Sequence, residues 1–598
     1  MGRWLLITLF LSLASVVQTW PLVLHLSDKI MDWPEAGDSW PSLWNLWWVK
    51  HAIVEQHTNP LHTDHLYFPQ GSDLYLHTLT LVNAVLAIPL EILTGNVFLS
   101  WNLLAITFIV VSGVAMYAVA LRVTSSHISS LVSAYIFAFA PYVLMRLQVT
   151  HWHLSTTWFL PVLILFLLRL EDTGRLREAA AAGIAWSLIT YNSLEYATQA
   201  GLFLGLFVSY WSVRYLAKAD GQRLRALWRG FAVTVAVWLL ASSPLLIPAA
   251  LDIYSDDYAL PGTAEYWSAN LRAFVTPSPL WASGKDPLTA PLDVPHAGTV
   301  ENTLYLGIVP LILAAVAVLA TLRSNRQTIL WTIVFLFFAT LALGPHLYID
   351  EAKTYSLLGY SFSVPLPYQI YDRLPLVGAG RVPERMIMFA IVGLSLLAGI
   401  GVNQLASWLH RYHKVLSLLP GLIVLALVVL EYWNPPVQLS QLTEPAVIKE
   451  IGREPGDFSV LHAPWGRFVG WGATGDFAGA PLTSYYQTIH GKPSFGGYLS
   501  RAKQTTLDWV GVEPGLHYLA CPACNDKPED MNPDLVRQAF LRYRVKYIIV
   551  HKLNPNGQPM PYSEETLAQI DQYLRVTAGM TRTYADLGLI VYRNEDIP

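Results

Sequence analysis

Five groups of polar residues interrupt an otherwise apolar chain, and their types suit the departure of a group from a phosphate. The first is Asp32, Glu35 and Asp38. The second lies in NPLHTDHLYFPQGSDLYLH at 59–77 and contains His62, Asp64, His65, Asp73 and His77. The third is His151-Trp152-His153, and the fourth is Tyr191, Asn192, Glu195 and Tyr196. The fifth is Arg381 and Arg385 within GAGRVPERM. A carboxylate can take the proton of an attacking hydroxyl. An arginine can meet the charge of a leaving phosphate, often with two parallel hydrogen bonds. Phosphate is a stable leaving group, so no strong general acid is needed.

Each group also has a structural alternative. Asp38 stands where a helix over 40–56 would start, so it can serve as a cap. Arg381 and Arg385 can snorkel to lipid headgroups, although a spacing of four puts them on one face if a helix begins early. His151 and His153 point the same way only in an extended chain. With no further ligands beside them, a metal role weighs less than interfacial packing. Glu195 can be a solvated turn residue, and Asp64, Asp73 and His77 can simply shape their loop.

The elements that must hold these residues are mostly membrane helices. The 598 residues are 53% hydrophobic and 13% charged, whereas a soluble chain carries about 25% charged residues. A net charge of -4 gives no reason to expect a nucleic-acid partner. Apolar runs of spanning length, about 17–25 residues, lie near 4–24, 97–121, 128–146, 155–170, 178–194, 197–216, 229–250, 302–322, 327–345, 385–406 and 413–432. The first continues to Leu24, past a typical signal-peptide core, and reads as an uncleaved span. The stretch 78–94 contains Pro89 and Glu91 and reads as a re-entrant or interfacial helix.

With that stretch not crossing and the N-terminus cytoplasmic, Arg122, Arg169, Arg175, Arg177, Arg214, Lys218, Arg223, Arg225, Arg229, Arg323, Arg326, Arg411 and Lys414 all fall in short cytoplasmic loops; a rival topology, with 78–94 crossing and the N-terminus translocated, keeps them inside but puts 25–76 in the cytoplasm. The expectation is therefore about eleven spans, N-terminus inside and C-terminus outside. A long first external loop covers 25–96, with an aromatic helix at 40–56 on the membrane surface. The membrane domain ends near 432, and 433–598 forms a small external α/β domain. In that tail, 545–551 and 587–592 read as strands and 564–575 as an amphipathic helix. The stretch 485–501 reads as an ordered loop. Cys521 and Cys524 favour a local disulfide over half a metal site.

The layout resembles the GT-C superfamily of membrane glycosyltransferases. The resemblance is carried by GDSWPSLWNLWW at 37–48, NPLHTDHLYFPQGSDLYLHT at 59–78, FAPYVLMRLQVTHWH at 139–153 and RVPER at 381–385. It extends over most of the chain. Uncharacterised bacterial GT-C-like proteins carry similar segments and a tail similar to YYQTIHGKPSFGGYLSR at 485–501.

The resemblance implies an inverting transferase at the outer face of a bacterial cytoplasmic membrane. Its donor would be a polyprenyl-phosphate-linked sugar and its acceptor an unidentified glycan, lipid or protein. Asp38 takes the position of the family's acidic residue, the catalytic base, with Asp32 and Glu195 as alternative acidic candidates. Arg381 and Arg385 are the donor-phosphate candidates. His62, His65, Asp73, His77, His151, His153, Tyr191 and Asn192 are expected to line the substrate cavity. No DxD motif is evident, so a divalent metal ion stays an open question. The rival readings are a lipid or glycolipid transporter and a structural assembly factor. A transporter needs ionisable groups along a path between leaflets, and here mid-membrane charge is scarce.

Overall fold

The computed structural model describes residues 2–32, 38–255, 264–277, 303–350, 352–357, 360–373, 382–410, 418–470, 472–513, 515–522 and 531–598. The chain divides into two compact units. One contains Met1–His25, Asn102–Ser243 and Leu260–Gln438; the other contains Leu26–Trp101, Pro244–Ala259 and Leu439–Pro598. The segment Leu26–Trp101 thus packs with the tail, whereas its sequence groups it with the spans.

Each of the eleven apolar runs contains a helix among the described residues. Six helical segments among the described residues are long and apolar enough to cross a bilayer: Val97–Thr124, His127–Gln148, Trp152–Thr173, Leu194–Ala217, Gly221–Tyr254 and Pro383–His410. The chain is a multi-pass membrane protein. Gly2–Gln18, Ile308–Thr321, Arg326–Ala342 and Leu419–Glu431 are shorter apolar helices. The remaining run is Leu176–Asn192, whose first turn carries Glu178. Length and composition therefore single out six spans where eleven were expected.

The helix Ile387–His410 is the axis of the membrane unit, buried from Ile387 to Val402. Two glycines let its neighbours come close. A Cβ on Gly401 would lie 2.2 Å from the Leu313 carbonyl oxygen, and one on Gly393 would lie 2.9 Å from that of Trp331. Small residues permit this backbone approach where helices pack in lipid. One end of the unit is tied by charge. Arg122 pairs with Asp172, Arg326 lies 3.7 Å from Glu171 and 3.8 Å from Asp172, and the Tyr215 hydroxyl donates to Glu171 at 2.7 Å.

The second unit is α/β. The strand Val545–His551 runs parallel to Ser459–Ala463 and antiparallel to Leu589–Arg593, which pairs with Thr581–Ala585. The expected strands and the helix at Glu564–Gln572 are present. The stretch 485–501 differs from its reading as a loop. Its first part belongs to the helix Gly479–His490, which stops at Gly491 in a left-handed conformation with φ of 65°. A Cβ is disfavoured there, so glycine ends the helix.

The aromatic helix Ser39–Lys50 also departs from expectation. Trp44 and Trp48 are buried and stacked with ring centroids 5.7 Å apart, so they form core instead of a membrane-facing stripe. The helix packs on Gly479–His490, and the Trp44 indole donates to Gln487 Oε1 at 2.7 Å. The strand Ile30–Met31 pairs antiparallel with Leu439–Ser440. The helix Leu81–Thr94 has 14 residues, or about 21 Å, short of a bilayer core of about 30 Å.

Arg467 fastens the loop to the tail. Its guanidinium donates to the Phe495 carbonyl at 3.0 Å, to the Thr506 carbonyl, and to the Phe68 carbonyl and Gln70 Oε1 at 3.0 Å each. The rings of Tyr67 and Trp509 lie 5.0 and 4.8 Å from its charge centre. Burial pulls its pKa down to about 9. Cys521 is disulfide-bonded, and Cys524 lies outside the described residues.

Candidate functional site

In the membrane unit, the candidates gather at helix ends. Ser193 caps the helix Leu194–Ala217 by accepting from the Tyr196 amide, which places Glu195 in its first turn. Arg385 lies in the short 3-10 turn Pro383–Met386 that leads into Ile387–His410. Its Nη1 donates to Glu195 Oε2 at 2.8 Å, and both side chains are more than four-fifths buried. Two candidates 190 residues apart in sequence thus form one charged pair. Arg381 lies outside the described residues.

Aromatic hydroxyls flank this pair. Tyr371 is buried, which pushes its pKa up to about 12 despite a hydrogen bond with Thr198, and the Glu195 charge adds to the rise. Burial raises Tyr368 likewise. Both phenols therefore remain protonated donors at neutral pH. The Tyr196 hydroxyl donates to the Leu154 carbonyl at 2.9 Å and lies 3.4 Å from the Tyr142 hydroxyl. This links the Glu195 turn to the segment after the two histidines.

His151 caps the one-turn helix Trp152–Ser155, and the His151 and His153 rings lie 5.6 Å apart. They come near each other although the chain is helical there, not extended. Asn192 ends the helix Leu176–Asn192, and the Tyr191 hydroxyl donates to the Ala241 carbonyl at 3.0 Å. Several buried polar atoms here have no hydrogen-bond partner among the described residues: Asn192 Oδ1, Gln199 Oε1 and Ser155 Oγ.

Sequence reasoning overlooked Arg146. It is wholly buried in the helix Pro141–Gln148, its charge lies 4.9 Å from the Tyr142 ring, and its carbonyl accepts from the His151 amide at 2.8 Å. The signal was present. A lone arginine inside an apolar run, here at 128–146, is a functional candidate by default.

In the second unit, Asp38 is half-buried at the start of the helix Ser39–Lys50, and its side chain makes no capping hydrogen bond. The capping alternative for this residue is thereby not realised. Asp32 is almost wholly buried, with its Oδ2 accepting from Asn556 Nδ2 at 3.0 Å. Burial raises its pKa, with the nearby Asp38 charge adding to the rise and hydrogen bonds from Asn556, Ser440 and Ser39 opposing it. The two carboxylates are thus differently placed: Asp32 ties the loop to the tail, and Asp38 is more open.

The loop histidines and Asp73 are engaged within the unit. His62 Nδ1 lies 2.8 Å from Asp73 Oδ1, across the two-stranded pairing of His62–Thr63 with Ser72–Asp73. Asp73 is also 3.6 Å from Lys503 Nζ. His65 Nδ1 meets Asp64 Oδ1 at 2.6 Å, and its ring packs among Trp47, Trp48 and His51. His77 Nδ1 accepts from the Ser500 amide at 3.0 Å, so the proton sits on Nε2, which donates to Asn45 Oδ1 at 2.8 Å. Burial lowers its pKa to about 3. Among the described residues no set of three or more His, Cys, Asp or Glu side chains is disposed to hold a metal ion.

One family model, described as "Domain of unknown function (DUF6311)", matches residues 42–430. No curated protein matches the chain. Among solved structures, the arabinofuranosyltransferase AftD from Mycobacteria is similar over 99% of this chain and 39% of its own, with 15% identity and a TM-score of 0.55. ArnT from Cupriavidus metallidurans, bound to undecaprenyl phosphate, aligns over 98% of this chain and 97% of its own, with 11% identity and a TM-score of 0.47. The archaeal oligosaccharyltransferase AglB from Archaeoglobus fulgidus aligns over 92% of this chain and 69% of its own, with 10% identity and a TM-score of 0.45. The chain therefore spans well under half the length of AftD and shares its fold. The expected architecture is borne out at the level of that shared fold.

Proposed function

The chain belongs to the DUF6311 family, and from that premise we propose that it is a membrane glycosyltransferase. It moves a sugar from a polyprenyl-phosphate donor to an acceptor hydroxyl at the outer face of a bacterial cytoplasmic membrane. The observation that carries this reading is the Glu195–Arg385 pair at 2.8 Å, standing on a fold shared with AftD. Fold alone does not give function; the pair adds a cation of the kind a lipid phosphate needs.

The chemistry follows from the residue types. The acceptor oxygen forms a bond to the anomeric carbon, while the bond from that carbon to the phosphate oxygen breaks. The bonding electrons leave with the phosphate. Asp38 takes the proton of the acceptor hydroxyl. Arg385, held in place by Glu195, meets the charge that grows on the phosphate. Attack opposite the leaving group inverts the anomeric carbon. No step is routed through a metal ion.

Support for Asp38 comes from its partial exposure, beside its place in the GDSWPSLWNLWW segment. Asp38→Asn is expected to lower turnover of a radiolabelled polyprenyl-phosphate sugar by about 100- to 10,000-fold, the usual worth of a general base. Membrane insertion should be unchanged. Wild-type turnover in that variant would remove Asp38 from the mechanism. Failure of the intact, purified protein to transfer any polyprenyl-linked sugar would favour the transporter reading.

A further inference from the structure

The second unit contains a cleft of about 810 Å³, formed only by residues of its own. Its volume lies within the range of small-molecule sites, about 300–1,000 Å³. The lining contains four side-chain amides and three carboxylates, but no lysine, arginine or histidine. Such a lining does not suit a phosphate or any other anion. Amides and carboxylates together offer donors and acceptors in close pairs, which is the pattern that neighbouring hydroxyls of a sugar require.

The cleft is firmly built. Tyr486 lines it, and behind it the Tyr486 ring stacks on the buried His462 and His551, with centroids 5.7 and 4.6 Å away. Asn554 Oδ1 closes its own loop by accepting from the amides of Asn556 and Gln558, both at 3.0 Å. The Asn554 Nδ2 meets only a long contact of 3.4 Å to Gln558. Gln441 is exposed on the cleft wall and has no hydrogen-bond partner among the described residues. These amides are therefore available to a ligand.

The cleft also adjoins the proposed base. Asn556, in its lining, gives its Nδ2 to Asp32 and takes the Trp40 indole N–H on Oδ1 at 3.0 Å. Trp40 lies two residues after Asp38, whose charge acts on Asp32. We propose that this cleft of the loop-and-tail unit binds a neutral oligosaccharide, the acceptor chain whose terminal hydroxyl is offered to Asp38. The word acceptor rests on the transferase reading; binding of a neutral glycan in the cleft does not.

The test uses the full-length protein in lipid nanodiscs. Linear trisaccharides of glucose, mannose, galactose and arabinose are the neutral probes, and trigalacturonate is the anionic one. Binding is followed by saturation-transfer NMR and titration calorimetry. At least one neutral trisaccharide should bind saturably and trigalacturonate should not. The double variant Gln441→Ala with Asn554→Asp should weaken that binding tenfold or more. Asn554→Asp keeps an oxygen that closes the loop, replaces the amide donor with a charged acceptor, and has unchanged melting as its control for folding. Asp38→Asn should bind the trisaccharide as the wild type does. The idea is lost if no neutral trisaccharide binds, if the double variant binds equally well, or if trigalacturonate binds more tightly. Trisaccharide binding without any sugar transfer would end the transferase reading and leave the cleft assignment standing.

Discussion

Arg467 and Arg385 both sit where water scarcely reaches, yet the company they keep differs in kind. Arg467 gives its hydrogen bonds to three backbone carbonyls and the Gln70 amide oxygen, between the rings of Tyr67 and Trp509. These partners are neutral, and the backbone fixes most of them. Arg385 instead faces the carboxylate of Glu195, which comes from another helix end. A guanidinium surrounded by neutral fixed acceptors joins pieces of chain. A guanidinium held against a carboxylate carries its charge in an ion pair for which an incoming anion can compete. The pattern of partners, more than burial, separates a fastening from a gripping residue.

The largest effect should come from removing the fastening. Arg467→Met strands two buried and two partly buried acceptors, and each buried group left unsatisfied costs about 1–3 kcal/mol. The loss should appear as faster hydrogen exchange in the strand Val545–His551 and in the loop around Phe68, with the membrane unit unaffected. Equal protection in variant and wild type would show that Arg467 is not what joins loop to tail.

The next effect should reverse that signature. Arg385→Ala is expected to reduce sugar transfer about 100-fold, or about 2.7 kcal/mol of transition-state stabilisation, with exchange rates in the second unit unchanged. Arg385→Lys should recover part of the rate, because a point charge replaces the fork but not its two-bond geometry. A variant that unfolds instead of slowing would place Arg385 with Arg467 as a structural residue.

How far the sequence reveals this contrast depends on whether a signal is local. The membrane helices were legible because apolar length is a local property. The strands at 545–551 and 589–593 were legible because β-branched runs are local too. The joining of the loop to the tail was not, since Ile30 pairs with Ser440 and Arg467 reaches Phe68 across about four hundred residues. Nothing near Trp44 or Trp48 says whether an indole meets lipid or a second helix. Glu195 and Arg385 were each visible as a charge near the end of an apolar run, but their pairing required the fold. Arg146 is visible as the one charged residue of the run 128–146, but its burial against Tyr142 required the fold.

The same contrast has a pH dependence. His77, His462, His490 and His551 are buried in the second unit, and burial holds each well below the ordinary histidine value, with His77 and His462 at about 3. Each is neutral when folded and takes up a proton when unfolded. Stability is therefore greatest above about pH 6.5, the unfolded histidine value. It falls as pH drops from there toward the folded values, by about 1.4 kcal/mol per pH unit for each proton taken up on unfolding. Exchange of the Val545–His551 amides should accelerate steeply between pH 6.5 and 5 in the wild type, and less steeply in His462→Gln. A flat profile would mean that these rings are already charged in the fold.

The smallest predicted effect separates the two halves of the Arg467 enclosure. The Tyr67 hydroxyl donates to the Phe468 carbonyl at 2.9 Å, while its ring faces the guanidinium at 5.0 Å. Tyr67→Phe removes only the hydrogen bond and should cost about 1 kcal/mol. Tyr67→Leu also removes the ring face and should cost a further amount of about 1–2 kcal/mol, because the cation–π contact is desolvated here. Chemical denaturation of the intact protein, read through exchange in the loop around Phe68, measures both steps. If the two variants are equally destabilised, the Tyr67 ring face contributes nothing to holding Arg467, and the part of Tyr67 in the enclosure is its hydroxyl alone.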